Sequence, residues 1–304
     1  RHIITTRIEH HAILHTCEYL EKRGFDITYL EVDRDGLVSP EALEAAIRPD
    51  TILVSIMFAN NEIGTVEPIA ALGAVAKRHG VPFHTDAVQA VGQLPINVDE
   101  MNIDMLSASG HKINGPKGIG FLYIRSGLKL QAFVHGGAQE RNRRAGTENV
   151  PAIVGLEAAV KRAVRTLDEK TARKLFLRDY LIRRIEEEIP YCSLNGHKTS
   201  RLPGNVNFSF RFIEGESVLI MLVMKGICAS SGSACTSGSV DPSHVLLAIG
   251  RNQEEAHGSL RLTLSEENTQ EELDFVVEQL KQIVQKLRDM SQLYEAFTRK
   301  NGDK

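Results

Sequence analysis

Two hydrophobic periods trade places along the first half of this chain. Short, nearly continuous apolar runs read as strands: His2 to Thr6, Ile27 to Val32, Thr51 to Met57, Val81 to Thr85 and Ile103 to Ser109. Between them Ala12, Ile13, Leu14, Cys17 and Leu20 recur at helical spacing until Gly24, and Ile69, Leu72, Val75 and Ala76 do so until Gly80. Ser39-Pro40-Glu41 opens a third helix, with serine at the N-cap, proline at the first helical position, and Leu43 and Ile47 on the buried side. Apolar strands separated by amphipathic helices predict a mainly parallel sheet covered on both faces, an α/β fold.

The pattern changes further on. Phe121 to Ile124 reads as one more strand, and a second strand-like run ends at Val134-His135-Gly136-Gly137. From Pro151 the period is helical through Ile153, Leu156, Ala159, Val160 and Val164, continuing past Leu167 to Ile189, a passage between domains. Val206, Phe208, Phe210 and Phe212 then alternate, predicting a half-buried antiparallel strand. Glu216 to Lys225 reads as an apolar helix and Leu260 to Leu264 as a strand. Thr269 and Glu272 form a capping box ahead of the stripe Leu273, Val276, Leu280, Ile283, Val284 and Leu287, which reads as core packing. These elements divide the chain into a large domain, residues 1–164, and a smaller α+β domain, residues 165–304, with a polar tail from Arg299 expected to fray.

Composition narrows the setting. The 304 residues carry a net charge of −3, and 25% of them are charged, so nothing invites nucleic acid or an anionic membrane. Arg141, Arg143 and Arg144 form the one tight basic cluster, which reads as a local anion or subunit contact. Apolar runs fall well short of the ~20 residues that span a bilayer, and no signal peptide is evident, so a soluble protein is expected. Cys17, Cys192, Cys228 and Cys235 show no paired metal spacing, so no resident metal is expected and a reducing cytoplasm is the simplest home. Cys17, Cys192 and Cys228 read as buried structural thiols. Arg1 is no initiator methionine, and the chain reads as beginning inside a fold.

Chemistry concentrates at strand ends, where ligands bind in open α/β folds. The run ending at Ser109 delivers Ser109-Gly110-His111-Lys112, and a Gly/Pro-rich bend follows. An amine held between small residues and shielded from water sheds its proton more readily, and a neutral amine condenses with an aldehyde. The bland alternative is a solvated loop lysine. His10 lies where a strand becomes a helix and, taken alone, reads more readily as a helix-start hydrogen bonder than as a site residue; Asn60-Asn61-Glu62 reads as a polar edge loop or a simple turn. Asp86 ends a strand, with a helix N-cap as its structural alternative. Around Cys235, Ser230-Ser231-Gly232-Ser233-Ala234 and Thr236-Ser237 offer little apolar area to anchor the segment. About six residues flank the thiol on either side between Ala229 and Asp241, so at ~3.3–3.6 Å per extended residue it would sweep up to ~20 Å.

The Lys112 and Cys235 segments together resemble pyridoxal-phosphate-dependent cysteine desulfurases of the iron–sulfur cluster assembly type, within the class V aminotransferases, and the resemblance runs from Glu9-His10 to Arg261. It implies a fold type I transferase, a homodimer, and conversion of L-cysteine to L-alanine with sulfur left as a persulfide on Cys235 for an iron–sulfur scaffold or other acceptor. By the same resemblance Lys112 would carry pyridoxal phosphate as a Schiff base, His10 would lie over its ring, and Asp86 would face the ring nitrogen. Gln89 would reach the phenolic oxygen, Ser109, His111 and a partner's Thr147 would hold the phosphate, and Arg261 with Asn61 would bind the substrate carboxylate. A free thiol near its reference pKa of ~8.5 is mostly protonated at neutral pH, so a base is expected beside Cys235, with His10 the candidate. Cys235 would also be the one transient iron–sulfur ligand. Members of the family carry an N-terminal portion ahead of Arg1, including a phosphate-binding loop at a helix start, so cofactor occupancy depends on how that portion is supplied. A selenocysteine lyase, another class V aminotransferase, or a non-catalytic assembly partner remain as alternatives.

Overall fold

The computed structural model describes residues 1–231 and 241–301. Its first sheet contains β1 (His2–Thr6), β2 (Asp26–Leu30), β3 (Thr51–Ser55), β4 (Phe83–Asp86), β5 (Met105–Ser109) and β6 (Gly120–Ile124), in the order β2-β1-β3-β4-β5-β6. Every pairing is parallel except β5 with β6, so β1, β3, β4 and β5 all end at one edge. Three helices connect the first four strands: α1 (His11–Glu21), α2 (Pro40–Ala46), capped by Ser39 as the Ser-Pro pair predicts, and α3 (Ile69–Arg78). Leu43 of α2 and Leu72, Val75 and Ala76 of α3 pack with Ile4, Val54, Phe83 and Leu106 of the strands in one buried cluster.

A short irregular turn, α4 (Gln139–Asn142), precedes α5 (Val150–Arg165) and α6 (Leu167–Glu188). The second sheet is antiparallel, ordered β7-β8-β9 from Cys192–Leu194, Asn205–Phe210 and Ser259–Thr263. Around it lie α6, α7 (Gly215–Val223), α8 (His244–Ala248), α9 (Gln253–His257), α10 (Gln270–Asp289) and α11 (Gln292–Asn301). Leu177, Leu181 and Ile185 of α6 and Leu273, Val277, Leu280 and Val284 of α10 close over Val206, Phe208 and Phe210. A third cluster joins the two sheets: Ile8, Met57 and Ile63 from the edge of the first meet Val245, Leu246 and Ile249 at α8.

Five expectations change. Residues 131–137 form no strand; Phe133 is 92% exposed, and the described chain offers this run no partner strand. The helical tract after Pro151 is two helices, broken at Thr166, whose φ of −109° and ψ of 11° leave the helical region. β8 is buried on both faces, because Asn205, Asn207 and Ser209 meet polar partners rather than water. Cys17 is buried, but Cys192 is half-buried and Cys228 is exposed. The tail expected to fray from Arg299 is helical to Asn301.

Candidate active site

The parallel edge assembles the site. β1 ends at Thr6 and delivers Glu9 and His10; β3 leads to Asn60, Asn61 and Glu62; β4 ends at Asp86; β5 ends at Ser109 and passes into a 3-10 turn, Gly110–Ile113, that carries Lys112. Asn114, with φ of 62°, takes the left-handed conformation that closes this turn. Small residues let α5 seat against it: a Cβ on Gly155 would lie 2.5 Å from Pro116 Cγ. Lys112 and His111 are exposed in the single chain, so the shielding expected for the amine is not provided by the described residues. Ser109 Oγ and His111 Nδ1 lie 2.7 Å apart and present a hydroxyl and an imidazole together.

His10 caps α1: its Nδ1 accepts from Ala12 N at 3.1 Å. A backbone N–H only donates, so the neutral ring carries its proton on Nε2. In that tautomer Nε2 is a donor, which constrains the expectation that His10 acts as base toward a thiol: accepting a proton would cost the cap. Asp86 Oδ1 accepts from Val88 N at 3.0 Å, a local turn that leaves the second carboxylate oxygen for a ligand. Gln89 is half-buried in that turn. Two residues before Asp86, His84 bridges the sheet, with Nδ1 2.8 Å from Ser55 Oγ and Nε2 2.9 Å from Ser107 Oγ, and burial pulls its pKa down.

Asn60 is structural. Its Nδ2 donates to Ile8 O at 2.8 Å and its Oδ1 accepts from Glu62 N and Ile63 N, so the turn reading holds for it. Asn61 is half-buried, and its carbonyl accepts from Arg261 Nη1 at 2.7 Å. This bond brings β9 of the second sheet to the edge of the first. Among the described residues Arg261 Nε is buried without a partner, a donor that they leave unsatisfied. Thr147 is exposed, and no described contact joins it to this edge. Cys235 and its flanking segment lie outside the described residues.

Sequence reasoning assigned no role to Glu9, Glu62, Asn205, Asn207 or Ser243. Glu9 is fully buried; Oε1 accepts from Thr6 Oγ1 at 2.9 Å and Met57 N at 2.8 Å, and burial pushes its pKa up to about 8. The only signal for Asn205 and Asn207 was their alternation with apolar neighbours, which reads as a wet face until a partner is seen.

Residues 1–276 match the family model for class-V aminotransferases. The chain is 58% identical over 293 residues to the cysteine desulfurase IscS of Methanosarcina thermophila, covering 96% of this chain and 72% of that protein. The chain belongs to the cysteine desulfurases. Among solved structures, a NifS-like protein superposes with a TM-score of 0.86 at 37% identity, covering 94% of this chain and 75% of that one. SspA in complex with cysteine superposes with a TM-score of 0.75 at 42% identity, covering 88% and 74%. As a cysteine desulfurase of the class-V family the chain is a pyridoxal-phosphate-dependent enzyme, and the donor set fits that group. A carboxylate at a strand end suits a ring nitrogen, an accessible lysine amine suits an aldehyde, and the Ser109–His111 pair suits a phosphate. No helix of the described residues is long and apolar enough to cross a membrane, and they contain no cluster of three ligating side chains fit for a metal ion.

Proposed function

We propose that this cysteine desulfurase transfers the sulfur of L-cysteine to Cys235, forming a persulfide and releasing L-alanine. The observation that carries the reading is the meeting of Arg261 with the Asn61 carbonyl, at the same sheet edge as Asp86 and the Lys112 turn, with a guanidinium N–H that has no partner among the described residues. When bound, pyridoxal phosphate supplies an aldehyde for the substrate amine and an electron-poor ring that takes up negative charge from Cα.

Lys112, Asp86, Gln89, Ser109 and His111 would hold that group, with Asn61 and His10 bordering it and Thr147 arriving from a second copy. Arg261 takes the substrate carboxylate in a charge-assisted pair, so the amino acid is fixed at one end and its sulfur is left to meet Cys235. Lys112 Nζ removes the Cα proton, and His10, with its proton on Nε2, serves as a donor above the site. The thiolate of Cys235 attacks the substrate sulfur; the carbon–sulfur bond breaks as the sulfur–sulfur bond forms, and the carbon takes up a proton. No outside oxidant is needed. The persulfide then passes to an acceptor protein, an iron–sulfur scaffold in our reading, and a reducing cytoplasm suits the free thiols.

Borohydride reduction followed by mass spectrometry tests the lysine, and product analysis tests the thiol. Cofactor mass should sit on the peptide bearing Lys112 and vanish in Lys112→Ala. Cys235→Ala should stay yellow yet release neither alanine nor sulfide; unchanged turnover in that variant refutes the assignment. Rates on L-cysteine and L-selenocysteine separate a desulfurase from a selenocysteine lyase.

A further inference from the structure

Glu62 has no part in the reaction as derived above, and its surroundings ask for one. It is 4% exposed and sits on the loop through which the first sheet meets the second. Its backbone carbonyl accepts from Asn205 Nδ2 and Asn207 Nδ2, each at 3.0 Å, and its Oε2 accepts from Ser243 Oγ, the N-cap of α8. The preceding carbonyl, Asn61 O, holds Arg261 Nη1. One short loop therefore fixes a buried carboxyl and the substrate-facing guanidinium together, and a carboxyl of this kind is held by one hydroxyl rather than by a full ion pair.

We propose that Glu62 is a positioning residue for the substrate carboxylate, acting through Arg261 to set how strongly that carboxylate is held. This rests on the reading of Arg261 as the carboxylate clamp. Among the described residues the charged group facing Glu62 is Arg261, from β9; α8 presents the Ser243 hydroxyl, β8 presents the uncharged amides of Asn205 and Asn207, and its own loop presents Asn60 and Asn61. Burial pushes the Glu62 carboxyl up to about 7, while the Ser243 hydrogen bond and Arg261 pull the other way. Below that pH a neutral Glu62 leaves the positive charge of Arg261 to the ligand. Above it an ionised Glu62 shares that charge, and the ligand is held less tightly.

The test is calorimetric binding of butanoate to the pyridoxal-phosphate-loaded full chain. Butanoate matches the chain length of L-cysteine without its amine or thiol, and its carboxylate stays ionised from pH 6 to 8.5. Wild-type affinity should fall about tenfold across that range as Glu62 ionises beside Arg261. Glu62→Gln should keep the pH 6 affinity throughout. Ser243→Ala, which removes the donor that favours ionised Glu62, should move the fall to higher pH, and it serves if the glutamine variant fails to fold. A Glu62→Gln or Ser243→Ala profile that overlays the wild type overturns the proposal while the clamp stands. Wild-type affinity in Arg261→Ala overturns the clamp, and the proposal with it.

Discussion

Glu67 shows what burial does to a lone carboxyl in this chain. It is 4% exposed; Oε2 accepts from Val38 N at 2.9 Å, while Oε1 has no partner among the described residues, and burial pushes its pKa up to about 8. An unfolded carboxyl ionises near ~4.5, so between about pH 4.5 and 8 the folded chain holds a proton that the unfolded chain has lost. Its contribution to stability is complete below that window and is lost as pH rises through about 8. Glu67→Gln keeps an acceptor for Val38 N and cannot ionise. It should match the wild-type melting temperature at pH 5 and exceed it by roughly 2–5 °C at pH 9. An offset equal at both pH values would show that only packing had changed. His10 separates cap from chemistry by the same logic. His10→Asn retains a good N-cap and loses the imidazole, so it should fold as stably as wild type with activity reduced at least ~100-fold. His10→Ala should lose about 1 kcal/mol more in urea unfolding.

At the scale of elements, what the hydrophobic pattern could report is what strands and helices bury. It placed β1 to β5, α1 to α3 and the capped start of α10 to within a few residues, because each buries an apolar stripe or run of its own. It also put His10, Asn60 to Glu62, Asp86 and Lys112 at one edge, since parallel strands share their direction. It could not report partners. Asn207 looked solvent-facing, yet its Nδ2 donates to Glu62 O and its Oδ1 accepts from Asn195 Nδ2 at 2.8 Å, across a gap in sequence that no local period spans. The break at Thr166 escaped for the opposite reason, since the residues on either side keep helical spacing. The thiol of Cys228 looked buried because its context read as helix or strand, but Ile227 and Ala229 on either side pack toward the core while Cys228 itself is exposed. Asn207→Ala takes one of two hydrogen bonds from each of two buried groups, Glu62 O, which keeps Asn205 Nδ2, and Asn195 Nδ2, which keeps Ser209 Oγ, so it should cost about 1–3 kcal/mol in urea unfolding. A loss below ~0.5 kcal/mol would mean that water replaces the amide and that the link between the sheets does not depend on it.

The described residues leave apolar surface that no described element covers. Phe133 is 92% exposed, and on α5, the helix that packs on the Lys112 turn, Val150 and Val154 are 60% and 59% exposed with Ile153 at 39%. We place the boundary between two domains at Thr166, which leaves α5 with the first sheet and makes this surface part of the cofactor domain. Apolar exposure along one helix face is what an interface hides, and a two-fold pair presents the same surface twice. Thr147 is exposed in one chain, and a second copy is what would carry it to a phosphate. The claim can be tested without a structure of the pair. Lys112→Ala should be inactive because it lacks the amine, and Thr147→Ala should lose most activity by weakening phosphate binding. Dissociated and remixed in equal amounts, half of the pairs would be mixed, and each mixed pair would hold one site with Lys112 from one chain and Thr147 from the other. The mixture should regain about a quarter of wild-type activity above the residual of the parents. If Thr147 serves its own chain, each mixed pair contains only singly defective sites, and remixing gives nothing beyond the average of the two variants.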